Sequence, residues 1–377
     1  MRLEWLGLQD FRNIPAASLR FGPGLNLITG DNGQGKSNLL EAVGLLATGR
    51  SFRRAASGVM RRWEQPRFKV SATVETGGLN RSLEVLGEPG HQVFRLDGKP
   101  MASVSRMERV LVAVLITPET PMLVRGGPAE RRAFLDWVIF CADRRHGGES
   151  REYQLAMRSR QRLLSLPGRD QRELEAWESQ LALLGARIAG RRHRAVRHLE
   201  RMLPRFLDGL GLPPEACAMT LSGDLETFFA QGERIETVAA RLQEKLRVCR
   251  ERDRQQGTTG AGPQRDELLL RLQGHPVARF GSRGQQKRFA YALKLAEAGW
   301  LEELLGEPPV MVLDDPVAEL DQAGAHGLMA LMSGQKGRQV FVAAREAGEI
   351  PWPQDASLVV HPVVAGVFQV SMEQTDS

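Results

Sequence analysis

The hydrophobic pattern of the first 125 residues is that of a mixed α/β structure. Short stretches alternate apolar and polar side chains, among them LEWLGLQDF at 3–11 and FKVSATVE at 68–75. Alternation of this kind predicts half-buried β-strands. The stretch LNLIT at 25–29 is almost wholly apolar, which predicts a short buried strand. NLLEAVGLLATG at 38–49 predicts a helix that ends at a glycine.

From about residue 126 to residue 206 the pattern becomes helical and rich in arginine. Apolar side chains recur every seven residues along one stripe, at Leu174, Leu181, Ile188, Ala195 and Met202. Such a stripe predicts a helix that packs along one face. The repeat is too short and too imperfect for a long coiled coil, so it predicts a short helical hairpin.

Strands and helices alternate again in the last third of the chain. CAMTLSG at 217–223 predicts a strand, and residues 233–253 predict an amphipathic helix. The simplest interpretation is an α/β head that is split in sequence by a short all-helical arm. The predicted boundaries are 1–125 for the N-terminal half of the head, 126–213 for the arm and 214–377 for the C-terminal half.

Composition narrows the class of protein and of partner. Apolar residues make up 42% of the 377-residue chain and charged residues 25%, which is ordinary for a globular protein. The net charge of +6 favours an anionic partner such as nucleic acid, nucleotide or a membrane surface. The three cysteines follow no metal-ligand spacing. The N-terminus lacks the apolar core of a secretory signal, and no stretch reaches about 18 apolar residues, so we expect a cytoplasmic protein with no membrane partner.

The stretch GDNGQGKS at 30–37 matches the pattern of a phosphate-binding loop (P-loop), between a predicted strand and a predicted helix. Its glycines let the backbone bend so that successive N–H groups face phosphates, and the helix N-terminus adds partial positive charge. Lys36 would bridge the β- and γ-phosphates, and the Ser37 hydroxyl would bind Mg²⁺. The pattern predicts nucleotide binding without choosing a class of P-loop protein. The candidate binding residues here are Gly30, Asp31, Asn32, Gly33, Gln34, Gly35, Lys36, Ser37 and Asn38.

Two aspartates, Asp314 and Asp315, end the apolar stretch VMVL. The carboxyl end of a buried strand is where an α/β ATPase holds its second Mg²⁺ ligand, so Asp314 is the candidate partner of Ser37 and would hold the metal-bound water. Asp315 is the candidate general base that polarises the attacking water, and Lys36 is the second candidate catalytic residue. The alternative is a strand that simply meets a solvated turn, and the P-loop makes this less favourable.

These elements occur in an order that resembles the head of an ABC-type ATPase of the structural-maintenance-of-chromosomes (SMC) and Rad50 group. After the P-loop and the helical insert come SRGQQ at 282–286, VLDD at 312–315 and AELD at 318–321. The resemblance is greatest in LGLQDFRNI, LNLITGDNGQGKSNLLEAVGLLATGRSFR and FGSRGQQKRFAYALKLAEA. The short arm distinguishes the chain from Rad50 and SMC proteins, which carry far longer coiled coils. The resemblance is closest to the branch of the group that acts in bacterial recombinational gap repair.

The resemblance implies that ATP, bound with Mg²⁺, switches dimerisation of the head. A signature loop of one subunit, formed by Ser282, Gly284 and Gln285, would cover the γ-phosphate held by the other subunit of an ATP-dependent homodimer. Arg12 would lie near the base or the phosphates of the nucleotide. Asp321 would lie at the subunit boundary.

The resemblance also implies a role in DNA recombination, repair and replication and in the SOS response. Duplex DNA would lie across the dimer near single-strand gaps and gapped junctions. Weak, DNA-stimulated ATP hydrolysis would release it. The expected partner is a RecR-type mediator protein, and the expected outcome is RecA loading.

A few positions depart from the family pattern. Pro316 follows the paired aspartates, where a small or apolar residue is more usual. Ala343 and Ala344 stand where family members commonly carry threonines that sense the γ-phosphate. Gln264 stands where a histidine is common.

The arm carries seven arginines between Arg187 and Arg205 against a single acid, Glu200. A charge run on a helix is usually a solvated face, and that interpretation stays open. Because acids are scarce, i to i+4 pairing cannot neutralise the run, which favours contact with duplex phosphates. The candidate DNA-binding residues are Arg187, Arg191, Arg192 and Arg194.

Two other classes of protein remain open. A P-loop NTPase or kinase that acts on a small molecule would not need a second phosphate-covering loop at 280–288. A transport-type ABC subunit, which serves a membrane partner, usually shows an LSGGQ-like loop and a histidine in the switch strand. This chain has GSRGQ as the loop, and Ala343 and Ala344 in the strand.

Overall fold

The computed structural model describes residues 1–101, 110–167, 170–318, 320–334, 337–352, 357–369 and 372–374. The chain divides into two compact units. We call residues 1–121, 205–212 and 283–377 the head unit, and residues 122–204 and 213–282 the arm unit.

The strands and helices follow one another in mixed order along the chain. The strands are β1 (Arg2–Phe11), β2 (Ile14–Arg20), β3 (Leu25–Thr29), β4 (Phe68–Thr76), β5 (Leu79–Glu88), β6 (His91–Leu96), β7 (Lys99–Pro100), β8 (Ala113–Ile116), β9 (Cys217–Ser222), β10 (Glu267–Leu272), β11 (His275–Pro276), β12 (Val310–Asp314), β13 (Val340–Ala344), β14 (Leu358–Val364), β15 (Val367–Phe368) and β16 (Met372–Gln374). The helices are α1 (Lys36–Thr48), α2 (Ser57–Met60), α3 (Met122–Arg125), α4 (Pro128–Ala142), α5 (Arg145–Ser165), α6 (Gln171–Gly209), α7 (Glu226–Ala230), α8 (Ile235–Val248), α9 (Arg250–Gln256), α10 (Val277–Phe280), α11 (Arg283–Leu305) and α12 (Gln322–Ser333).

The described residues of the head unit form two sheets. The first is antiparallel, in the order β2-β1-β4-β5-β6-β7. In β4 alternate side chains are buried, because successive residues of a strand point to opposite faces of a sheet. The stretch predicted as a half-buried strand at 68–75 therefore has the burial pattern that its sequence indicates.

The second sheet of the head unit positions the chemistry. Its central strands run parallel in the order β14-β3-β13-β12-β8. Strands β12 and β13 are buried along their whole length, which explains their unbroken apolar runs. Asp314 lies opposite Ala343, and Ala344 lies opposite Thr29. The carboxyl ends of β3, β12 and β13 therefore meet at one edge of the sheet.

The arm unit is built on α5 and α6, with the sheet β11-β10-β9 and the helices α7 to α9. The predicted stripe of α6 is buried at Leu174, Leu181, Ile188 and Ala195. Leu181 and Ile188 share a hydrophobic core with residues of α5 and of α8, among them Tyr153 and Leu242.

This core corrects the predicted domain boundaries. The residues predicted to form the arm, 126–213, contain helices α4 to α6 and no strand among those described. The sequence prediction placed residues from 214 onward in the C-terminal half of the head. In the structure, contacts group residues 213–282 with the arm instead. Leu225, Val238 and Leu246 complete the arm core, and a local sequence pattern carries no information about that distant packing.

Candidate functional site

The P-loop follows β3 and leads into α1. Gly30, Gly33 and Gly35 have φ angles of 146°, 81° and 119°, in the region that only glycine adopts easily. Gly35 immediately precedes the first residue of α1. The glycines therefore give the backbone the bends that bring the helix N-terminus to the loop, as the sequence predicts.

Lys36 lies over the loop that it follows. Its Nζ donates hydrogen bonds to the carbonyl oxygens of Gly30 and of Asp31, the latter at 2.9 Å. Burial lowers the pKa of Lys36, and the charges of Asp314 and Asp315 oppose that shift. The ammonium is thus placed among loop carbonyls and strand-end carboxylates, where an added anion of high charge would gain a partner.

Ser37 and Asp314 meet as the sequence predicts. The Ser37 Oγ donates a hydrogen bond of 2.6 Å to Asp314 Oδ1. Asp314 is buried, and burial raises the pKa of its carboxyl. A hydroxyl oxygen and a carboxylate oxygen are the kind of ligands that Mg²⁺ takes, since it uses few protein ligands and completes its shell with phosphate oxygens and water. In the part of the chain that the structure describes, no cluster of three or more His, Cys, Asp or Glu side chains forms an all-protein metal site.

Asp315 is exposed beside the buried Asp314 and has a φ of 50°. A left-handed conformation is uncommon for a residue other than glycine, and it directs the chain away from the strand after one residue. The next residue, Pro316, is buried, and its carbonyl accepts a 3.2 Å hydrogen bond from the Tyr291 hydroxyl. The unusual proline is therefore accommodated by α11.

A cleft of about 950 Å³ opens at this edge of the sheet. It contains most of the predicted P-loop ligands together with both aspartates: Asn32, Gly33, Gly35, Lys36, Ser37, Asn38, Asp314 and Asp315. Asp321, Ala343 and Ala344 also line it. Among the described residues, Gly30, Asp31 and Gln34 of the P-loop do not line it, and the Gln34 carbonyl accepts a 2.8 Å hydrogen bond from Gly366 N.

Arg12 is not among the described residues that line the cleft. Its guanidinium donates two hydrogen bonds to the fully buried carboxylate of Glu41 in α1, at 2.9 and 2.6 Å. Its predicted proximity to the nucleotide stays a prediction.

Sequence reasoning missed Arg53, which lines the cleft and donates a 2.9 Å hydrogen bond to Asn38 Oδ1. It also missed Asn13, which accepts a hydrogen bond of 2.8 Å from the side chain of Asn38. Arg53 stands in the stretch SFR, inside the segment that carries the resemblance, and that position was the available signal.

The signature loop lies at the start of α11. The helix begins at Arg283. Ser282 is exposed immediately before the helix, whereas Gly284 and Gln285 lie in its first turn and are partly buried. Ser282 is the last residue of the arm unit, and Gly284 belongs to the head unit. Contact of this loop with a second subunit stays a prediction.

Asp321 caps the N-terminus of α12 by accepting a 2.8 Å hydrogen bond from Gly324 N. Arg288 of α11 forms an ion pair with the same carboxylate. The hydrogen bond from Gly324 and that from Arg288 lower the pKa of Asp321. The helix that follows the signature loop is therefore tied to the segment that follows the paired aspartates.

The arm arginines require a correction. Arg192 is buried and donates to Asp136 at 2.9 and 2.8 Å and to Asp266 at 2.9 Å. Arg191 is also buried and lies 3.0 Å from Asp143. The prediction that these two side chains contact DNA phosphates is wrong, because acids from other elements of the arm neutralise them.

The other two candidates differ from this pair. Arg187 is partly exposed and lies 3.1 Å from Glu149, and Arg194 is exposed. Their contact with DNA stays a prediction.

A second arginine-rich stretch lies in the head unit. Residues 50–67, which we call the head arginine segment, contain six arginines and one acid, Glu64. Arg50, Arg54 and Arg67 are exposed and form no ion pair with any residue that the structure describes. This segment therefore presents unneutralised positive charge.

The comparisons with known proteins agree with this architecture. The sequence model described as the RecF/RecN/SMC N terminal domain matches residues 2–351. The DNA replication and repair protein RecF of Magnetococcus marinus is 49% identical over 379 residues, covering 99% of this chain and 98% of that protein. The protein of the same name from Geobacter sulfurreducens is 34% identical over 352 residues, covering 93% of this chain and 94% of that protein.

Solved structures extend the agreement to the fold. The recombination mediator protein RecF-ATPrS in the RecFOR pathway superposes with a TM-score of 0.86 at 25% identity, covering 99% of this chain and 98% of that one. An Smc head bound to the C-winged helix domain of ScpA superposes with a TM-score of 0.58 at 14% identity, which shows likeness of fold. None of the described helices is long and apolar enough to cross a membrane. The predicted ABC-type ATPase head is confirmed, but the arm unit is not all-helical, because it contains the sheet β11-β10-β9. The chain belongs to the RecF family of the RecF/RecN/SMC proteins.

Proposed function

We propose that this protein is an ATP-switched, DNA-binding ATPase of recombinational repair. The observation that carries the proposal is the Ser37–Asp314 pair, 2.6 Å apart beside Lys36 at the carboxyl edge of a parallel sheet. A kinase or an NTPase of another class would share this pair. The comparison with RecF proteins over nearly the whole chain selects the repair class.

The cleft residues divide the work on ATP. Backbone N–H groups of the P-loop and the N-terminus of α1 hold the phosphates, and Lys36 exchanges its loop carbonyls for phosphate oxygens. Ser37 and Asp314 would hold Mg²⁺, which neutralises charge on the phosphates when it is bound. Asp315 is exposed in the cleft and orients a water for attack on the γ-phosphate.

Ala343 and Ala344 line the cleft at the end of β13 without a side-chain hydroxyl. They cannot donate a side-chain hydrogen bond to the γ-phosphate. Slow hydrolysis follows from that composition, and it suits a switch better than a fast enzyme. DNA stimulates this slow step in the mechanism that we propose.

ATP acts by joining two copies of the head. Ser282 is exposed immediately before α11, so a second subunit can reach this residue and the N-terminus of the helix. A negatively charged γ-phosphate is favoured at such a helix end. Two ATP molecules are then held between two subunits related by a two-fold axis.

Duplex DNA binds to the joined heads through the head arginine segment. Exposed arginines without acidic partners release counterions when they meet phosphates, and the buried Arg191 and Arg192 cannot. Binding near gapped junctions, association with a RecR-type mediator and delivery of RecA complete the proposed role. The RecFOR pathway named for the structural relative supports this assignment.

Light scattering of the purified protein with and without ATP and Mg²⁺ tests the proposal. We expect the molar mass to double with ATP, and Lys36→Met to remain a folded monomer. Ser282→Arg should keep monomeric ATP binding and lose dimerisation. An unchanged mass with ATP, or dimerisation of Lys36→Met as strong as that of the wild type, would contradict the switch.

A further inference from the structure

Two exposed apolar surfaces lie beside the two halves of the proposed ATP site. Phe280 is the last residue of α10, is 61% exposed and stands two positions before Ser282. Val364 and Val367 are 57% and 56% exposed on the hairpin between β14 and β15. Large apolar side chains left in water at functional positions indicate an interaction surface.

Phe280 is held in place at the end of its short helix. Val277, at the start of that helix, is buried, and its carbonyl accepts a 3.0 Å hydrogen bond from Gly281 N. The Arg279 guanidinium lies 5.4 Å from the centre of the Phe280 ring, and the His275 ring lies at 5.2 Å. The exposed aromatic ring therefore has Arg279 and His275 as neighbours at the surface.

The valine hairpin is fixed to the P-loop. Val364 and Val367 are cross-strand partners, so their side chains lie on the same face of the hairpin. At its turn, Gly366 N donates a 2.8 Å hydrogen bond to the Gln34 carbonyl, and Ala365 N donates to the Gln34 side chain. The two valines therefore form an apolar patch next to the loop that holds the phosphates.

We infer that Phe280 of one copy packs on Val364 and Val367 of a second copy. The inference rests on the proposed function, in which Ser282 reaches the phosphate held by the P-loop of the other subunit. Two residues span at most about 7 Å of extended chain, so Phe280 arrives beside that P-loop together with Ser282. The two-fold axis repeats the contact on both sides of the dimer.

The charges around the two surfaces are complementary. Arg279 and Arg283 are exposed on either side of Phe280 and Ser282. On the P-loop side, the exposed acids Asp31, Glu346 and Glu349 outnumber two exposed arginines, Arg345, which lies 3.7 Å from Asp31, and Arg53, which lines the cleft. A basic rim meeting an acidic rim favours this docking over the contact of two like surfaces.

Variants that introduce opposite charges at the two apolar surfaces test the contact. Phe280→Glu and Val367→Lys should each weaken the ATP-dependent dimer about tenfold or more, because each substitution acts at two symmetric contacts. ATP affinity of the monomers should stay unchanged. The double variant places opposite charges together and should recover most of the lost affinity. Leu79→Lys, at an exposed apolar residue of β5, is the matched control and should dimerise like the wild type.

The outcomes separate this inference from the proposed function. If the wild-type protein does not dimerise with ATP, the proposed function fails and the contact fails with it. If the wild type dimerises and both single variants dimerise equally well, only the contact is overturned. Single variants that weaken the dimer without recovery in the double variant also overturn it, because the two positions then do not meet.

Discussion

Two arginine-rich segments of nearly equal length have opposite environments in this protein. Residues 187–205 carry seven arginines and one acid, and the head arginine segment carries six arginines and one acid. Arg192 on α6 is buried against Asp136 and Asp266, whereas Arg54 in the head is exposed without an ion pair among the described residues. Charge composition alone therefore does not identify a DNA-binding surface. How much positive charge such a segment keeps depends on whether acids from distant parts of the chain pack beside its arginines.

The largest expected effect is on the stability of the arm, when the buried cation shared by Asp136 and Asp266 is removed. Arg192→Met leaves Asp136 and Asp266 near each other without their shared cation. Breaking such a buried pair costs about 3 to 5 kcal/mol, so we expect the arm unit to unfold at markedly lower urea concentration. Urea unfolding followed by circular dichroism measures the change.

The matched control for that experiment is Arg194→Met on the same helix, which removes an exposed arginine. We expect it to change stability by less than about 0.5 kcal/mol. Equal destabilisation by both variants would mean that the ion pairs of Arg192 do not stabilise the arm.

The next-largest expected effect is on DNA binding by the head arginine segment. Replacing Arg50, Arg54 and Arg67 by alanine should lower duplex affinity on the order of tenfold to a hundredfold. The slope of log K against log salt should fall by about 2 to 3, because each lost phosphate contact contributes roughly 0.9. Fluorescence anisotropy of a labelled duplex, titrated at several salt concentrations with ATP and Mg²⁺, gives both quantities.

A control triple variant removes the same charge elsewhere. Arg234, Arg247 and Arg254 are exposed residues that lie near acids close in sequence. Their replacement by alanine should leave the salt slope nearly unchanged. If both triple variants lose affinity equally, net charge and not the head arginine segment governs binding.

A smaller effect follows from the pKa of Asp266, which burial raises to about 6 against the opposing charge of Arg192. Its unfolded value is about 3.9, so the folded protein binds more protons between about pH 4 and pH 6. The stability that this group contributes is therefore present at low pH and is lost as pH rises through about 6. Relative to Asp266→Asn, the wild-type arm should gain about 1 to 2 kcal/mol between pH 7 and pH 4.5.

Denaturation of both proteins at the two pH values tests this effect. Asp136 cancels in the comparison because both proteins carry it, and its folded pKa of about 2 keeps its carboxyl ionised in the folded state at both pH values. Although burial raises the pKa of Asp136, hydrogen bonding to His146 and the charge of Arg192 lower it overall. A wild-type protein that is instead relatively less stable at pH 4.5 would show that Asp266 is ionised throughout.

The same contrast explains which parts of the site were predictable from sequence. The P-loop, its flanking elements and the meeting of Ser37 with Asp314 depend on short contiguous motifs and on the rule that parallel strands end at one edge. The stripe of α6 depends on helical periodicity, which is also local.

The features that the sequence predicted wrongly or missed depend on contacts between residues that are distant in sequence. Arg192 meets Asp266, which is 74 residues away, and no i to i+4 argument reaches that far. The assignment of 213–282 to the arm rests on a core shared by α5, α6 and α8. Arg53 stood within the segment that resembles the family, but only the folded loop brings it to the cleft.

The smallest expected effect is that of the exposed arm arginines on DNA binding. Arg187 and Arg194 are the two predicted DNA contacts that the arm does not bury, and Arg187 already lies 3.1 Å from Glu149. A paired arginine releases little counterion when it meets a phosphate, so the double alanine variant should change duplex affinity by less than about threefold and the salt slope by less than about one. The anisotropy titration used for the head variants measures it. A drop in slope of about two would restore the arm as a phosphate-binding surface, and both arginine-rich segments would then share the duplex.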